Sequence, residues 1–171
     1  MSESTTRAIG CEEIGDLGDG HERLEPFVGT FNAVVKMWMA PGDPMESTGT
    51  MENAFELGGR FLKQVYTGDA NDGPVPDFRG RGYWGYNTAT NEYEGFWIDT
   101  ASTVMQHDRG TLDGDTWTMI GSMTNPQTGA AMQKKSIIRL ESGDRHVMEM
   151  YLDIPGMGEV KTMEIVYTRA E

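Results

Sequence analysis

The feature that most constrains this chain is a period-two alternation of apolar side chains that restarts about ten times between short clusters of Gly, Asn and Asp. Phe31, Ala33, Val35, Met37 and Met39 occupy every second position of one stretch, with Thr30, Asn32 and Lys36 between them. Trp117, Met119, Gly121 and Met123 repeat the pattern against Thr116, Thr118, Ile120 and Ser122. Successive side chains of a strand point to opposite faces, so such a chain forms half-buried strands and not helices. The segments 27–39, 47–57, 60–68, 78–86, 92–99, 103–112, 116–123, 132–140, 145–154 and 159–169 all read as strands. Gly58-Gly59, Asn87 to Asn91, Asp113-Gly114-Asp115 and Ser142-Gly143-Asp144 provide the turns. The 22 glycines in 171 residues, nearly twice the usual share of about 7%, are turn punctuation. The expected fold is all-β: a single antiparallel up-and-down barrel of about ten strands, a meander that closes on itself and so removes exposed edges. A short helical turn at residues 21–25 precedes it.

The length suits one domain. Residues 1–20 carry five acids against Arg7 and have no aromatic anchor, so they read as a flexible acidic arm, with the domain running from 21 to 171. Cys11, alone and in that arm, has no internal disulfide partner. Fourteen basic and 27 acidic residues leave a net charge of −13, which repels nucleic acid and anionic membrane surfaces. No apolar run approaches the roughly 18 residues of a membrane helix. The acidic, Gly-containing N-terminus lacks the features of a secretory signal, and a cytoplasmic address is expected. The polar loop 69–76 is the longest connection and either simply links strands or carries function.

Gly29-Thr30-Phe31 after the N-terminal turn resembles the Gly-x-Trp opening of calycins, with Phe in place of Trp. His21 and Leu24, Val28-Gly29-Thr30, Leu57 to Leu62, Gly82 with Gly85-Tyr86, Tyr93, Trp97-Ile98-Asp99 and Tyr167 with Arg169 together resemble a bacterial family of lipocalin-like domains of unassigned function. The resemblance implies a calycin-type barrel with a central cavity and implies no reaction. Fatty-acid-binding barrels carry Arg-x-Tyr on the last strand, whereas Tyr167-Thr168-Arg169 reverses the order. Their carboxylate site is therefore not transferred.

The expected function is binding of a small apolar or amphipathic molecule in the barrel. Phe31, Tyr93, Trp97 and Met119 are its expected walls, and Arg60 at the barrel mouth or His107 its polar anchor. Met105, Trp117, Met123, Met148 and Met150 are also expected to face inward, where thioethers either adapt to a ligand or fill gaps. Trp97 and Asp99 share a face, and His107 shares one with Thr103, Met105 and Arg109. Asp99, His107 and Arg109 are thus expected to form an interior polar cluster, which is either a salt bridge or the acid/base pair of an isomerase or lyase. A third alternative is a structural or partner-binding barrel with a filled core. A haem held by one histidine would fall to His107 or His146, but no cofactor is assigned. The three histidines are too scattered to spell a metal site, and no nucleophile elbow, P-loop or dinucleotide fingerprint occurs.

Overall fold

The computed structural model describes residues 15–70, 75–125 and 128–171. Cys11, most of the expected arm and the centre of the 69–76 loop lie outside the described residues. A four-residue helix, α1 (Asp19–Glu22), and a 3-10 turn (Glu25–Phe27) lead into ten strands: β1 (Gly29–Met37), β2 (Met45–Glu56), β3 (Phe61–Gly68), β4 (Arg79–Asn87), β5 (Glu92–Asp99), β6 (Gln106–Asp113), β7 (Thr116–Thr124), β8 (Ala131–Ser142), β9 (Arg145–Ile154) and β10 (Gly158–Arg169). Each strand pairs antiparallel with its sequence neighbour, and β1 pairs with β10, so the sheet closes into a barrel. The expected architecture is the one observed.

The two ends of the barrel differ. At one end, α1 and the 3-10 turn form a plug beneath the hairpins β2–β3, β4–β5, β6–β7 and β8–β9. Leu24, Phe27, Leu62, Trp84, Tyr93, Trp117 and Met119 pack there with little or no solvent exposure. The Phe27 ring lies 5.1 Å from both Trp84 and Trp117, at the tilted and edge-on angles that aromatic quadrupoles favour. Arg169 fixes the plug by donating from Nη1 to the Val28 carbonyl (2.8 Å) and from Nη2 to that of Pro26 (3.0 Å), while its guanidinium covers Phe31 at 4.6 Å. Tyr93 donates to the Gly20 carbonyl at 3.1 Å, and Gly18 N–H donates to the buried His21 at Nδ1. Arg60 donates to the Gly15 carbonyl at 2.6 Å. Residues 15–20, read from sequence as part of the arm, are thereby seated on the closed end.

The hairpin between β2 and β3 turns through Leu57, Gly58 and Gly59 with φ of 51°, 71° and 88°. Two glycines supply left-handed backbone at no steric cost, as the sequence predicts. The outer face is charged. Lys63–Glu56 and Arg109–Glu94 pair across strands at 2.7 and 3.2 Å, and Glu149 accepts from both Arg139 and Lys161. A barrel crossing a bilayer carries an apolar band there instead. Among the described residues no helix is long and apolar enough to cross a membrane.

Candidate functional site

The inner face beyond the plug consists of two contrasting walls. On β1, β2, β3 and β10, Phe31, Ala33, Val35, Met51, Tyr66, Ile165 and Tyr167 form a second buried cluster, against which Trp97, Phe78, Met148 and Met163 pack. Gln106, Met123, Met132, Met150 and Leu152 face inward near the other end of the barrel and are only partly buried. In a closed barrel, an inward side chain that solvent reaches borders a hollow or its mouth. The plugged half is therefore packed, and beyond it the β6–β9 side of the inner face is the more open part of the barrel, its side chains only partly buried.

Trp97 lies flat against β4 because Gly80 and Gly82 present no side chains there. A Cβ at Gly80 would overlap the indole, and one at Gly82 would stand 2.7 Å from its Cε3. The indole Nε1–H donates to Asp99 at 3.0 Å, and the other Asp99 oxygen accepts the Ala101 N–H at 3.0 Å. Asp99 thus pins Trp97 and the start of the following loop.

The chemistry of the open half centres on Lys134, the one lysine or arginine that is buried among the described residues. Its Nζ lies 2.8 Å from Asp108 Oδ2 and donates to Gln106 Oε1 at 3.0 Å. Asp108 on β6 and Lys134 on β8 are both in register with Gly121 on the intervening β7. They meet across β7 because Gly121 leaves the space free; a Cβ there would collide with Asp108 Oδ1. That oxygen is buried and has no hydrogen-bond partner. Ser136, two residues along from Lys134 on the inner face, is also buried.

The sequence-derived candidates divide between the two halves. Phe31, Tyr93 and Met119 are interior but belong to packed clusters. Trp97 and Asp99 face inward, as expected. His107 does not: it pairs with Phe96 on the outer face, 5.3 Å between ring centroids, and Arg109 beside it engages Glu94. The expected Asp99–His107–Arg109 cluster therefore does not form. The Met105 side chain suggested an apolar inner phase for β6, but β6 starts only at Gln106, and Met105 lies exposed in the preceding loop. Arg60 is at the closed end, not at the mouth, and is engaged with the backbone of Leu57 and Gly15.

Sequence reasoning missed Gln106, Asp108 and Lys134. For Lys134 the parity was there to be read, since Lys134 and Ser136 are in phase with Met132, Ile138 and Leu140, whereas on β6, with both faces polar, no such signal marks Gln106 and Asp108.

His146, the other histidine considered for a cofactor, is enclosed in the packed half. It stacks on Tyr167 at 4.5 Å and meets the edges of Phe27 and Phe31 at 4.9 and 4.8 Å. Burial, helped by the Arg169 charge, pushes its pKa down to about 3. The imidazole stays neutral in the folded protein but protonates in the unfolded chain near pH 6.5, so its linkage costs nothing above that value and stability falls as pH drops from 6.5 toward 3. Wild type is expected to lose about 2 kcal/mol more unfolding free energy than His146→Leu between pH 7 and pH 5, at roughly 1.4 kcal/mol per pH unit. Urea titrations at the two pH values check this; parallel losses would remove His146 as the cause.

The protein is thus a closed ten-stranded antiparallel barrel, plugged at one end and carrying a buried polar cradle on its inner face. The chain belongs to the family described as a protein of unknown function (DUF1579), whose match spans residues 16–169. No curated protein matches the chain. Among solved structures it is similar to Rv2717c from M. tuberculosis, at 18% identity over 91% of this chain and 100% of that one, with a TM-score of 0.63. It is also similar to the S-type phycobiliprotein lyase CPES from Guillardia theta, at 10% identity over 89% and 93% of the two chains, with a TM-score of 0.57. At these identities the likeness speaks for the fold.

Proposed function

We propose that the open half of the barrel binds a small apolar or amphipathic molecule, with Trp97 and the inward methionines as its walls and the Lys134–Asp108–Gln106 cradle as its polar anchor. The observation that carries this reading is a buried charged pair on an inner face where the neighbouring Met123, Met132, Met150 and Leu152 stay partly exposed. Burying such a pair is costly and seldom improves stability over apolar packing, so its presence beside inward side chains that stay partly exposed favours a role in recognition. Flexible methionines around it suit a ligand of variable shape. The outward position of His107 removes the acid/base pair on which a catalytic alternative rested. A cytoplasmic address, expected from the sequence, remains part of the proposal.

Native mass spectrometry of protein purified from its own host is expected to show a retained small molecule. An environment-sensitive apolar dye is expected to bind wild type and to bind Gly80→Ala at least about tenfold more weakly, a loss of about 1.4 kcal/mol. The added methyl drives the Trp97 indole off β4 and into the lumen. Absence of a retained molecule, together with dye binding that ignores Gly80→Ala, would overturn the reading.

A further inference from the structure

The polar groups of the open half bear on which head group a ligand carries, an inference that rests on the lumen-binding reading above. Lys134 and Asp108 neutralise one another at 2.8 Å, so the cradle carries no net charge. A ligand carboxylate approaching Lys134 would meet the Asp108 carboxylate beside it, and a ligand ammonium approaching Asp108 would meet Lys134. Each loses its hydration shell without gaining an unshared counter-charge. The groups left to a ligand are mainly donors: the third N–H of Lys134, the amide NH₂ of Gln106 and the Ser136 hydroxyl; the other inward carboxylate, Asp99, has both oxygens taken up by the Trp97 indole and the Ala101 N–H. Asp108 Oδ1 is turned onto Gly121.

We infer that the barrel selects apolar molecules with a neutral oxygen-bearing head, a hydroxyl, carbonyl or amide, and discriminates against both fatty-acid anions and alkylammonium ions. The neutral oxygen accepts from Lys134 and Gln106 while the ion pair stays intact. This differs from a carboxylate-binding barrel, in which a cation must be free to meet the anion.

Lauryl alcohol, lauramide, lauric acid and laurylamine present one chain with neutral, neutral, anionic and cationic heads. Displacement of a bound apolar dye from the full chain at neutral pH ranks them. The alcohol and amide are expected to compete at least about tenfold better than either ion. Asp108→Asn leaves Lys134 with an unshared charge, so lauric acid should gain selectively; Lys134→Gln should favour laurylamine. Differences in partitioning alone would not move between the variants.

Lauric acid or laurylamine ahead in wild type would overturn the inference while leaving lumen binding in place, and so would a ranking unchanged in both folded variants. Failure of every compound, dye included, would overturn the lumen-binding reading and this inference with it. Should either variant fail to fold, the wild-type ranking decides alone.

Discussion

Phe27→Ala is expected to lower the unfolding free energy by about 3–5 kcal/mol, the range for deleting a buried phenylalanine ring from a close-packed core. Phe27 is 1% exposed and touches three aromatic rings contributed by β4, β7 and β9: Trp84, Trp117 and His146. Those partners are held by closed barrel strands and cannot collapse far into the space left behind. The loss is a large fraction of the roughly 5–15 kcal/mol that stabilises a domain. The urea midpoint followed by tryptophan fluorescence measures it. Leu17→Ala, at a position 52% exposed, is the control and should change stability by no more than about 0.5 kcal/mol. A cost below about 1 kcal/mol for Phe27→Ala would mean that the N-terminal plug does not belong to the cooperative core.

A double-mutant cycle on Lys134 and Asp108 should show strong coupling. Asp108→Ala leaves a buried ammonium without its counter-charge, and Lys134→Ala leaves the carboxylate alone; each is expected to cost about 3 kcal/mol. Combining Lys134→Met with Asp108→Leu removes both charges and restores apolar packing, and it should cost far less than the sum, within about 1 kcal/mol of wild type. The side chains are 5% and 17% exposed, so solvent screens the pair far less than it screens the exposed Arg23–Asp115 bridge. Loss of that bridge should be felt at about 0–1 kcal/mol. Additive costs at 134 and 108 would show that the pair is not the energetic unit that the geometry suggests. If the paired apolar replacement is stable but no longer binds the neutral amphiphiles, the ion pair serves recognition more than folding.

The strand count, the hairpin order and the phase of most strands follow from local physics alone. Alternation, together with Gly, Asn and Asp at the breaks, sets where strands run and turn. β5 and β9 span the residues expected, and β7 carries Trp117, Met119, Gly121 and Met123 on the inner face anticipated for them. Alternation assigns residues to two faces but names the inner one only where one face is clearly apolar. On β6 the inner face is Gln106, Asp108, Gly110 and Leu112 and the outer is His107, Arg109, Thr111 and Asp113, so both look polar and the local pattern gives no preference. Closure of the barrel decides it, since the register with β5 places Gln106 beside Trp97 and His107 beside Phe96. Arg60 sits at the closed end for a related reason: which mouth a hairpin faces is set by where the N-terminal plug docks, a contact between parts of the chain far apart in sequence. The Lys134–Asp108 pair is the furthest from local reach. Its partners lie on β6 and β8, with β7 between them, and meet only because Gly121, in register between them, has no side chain to hold them apart.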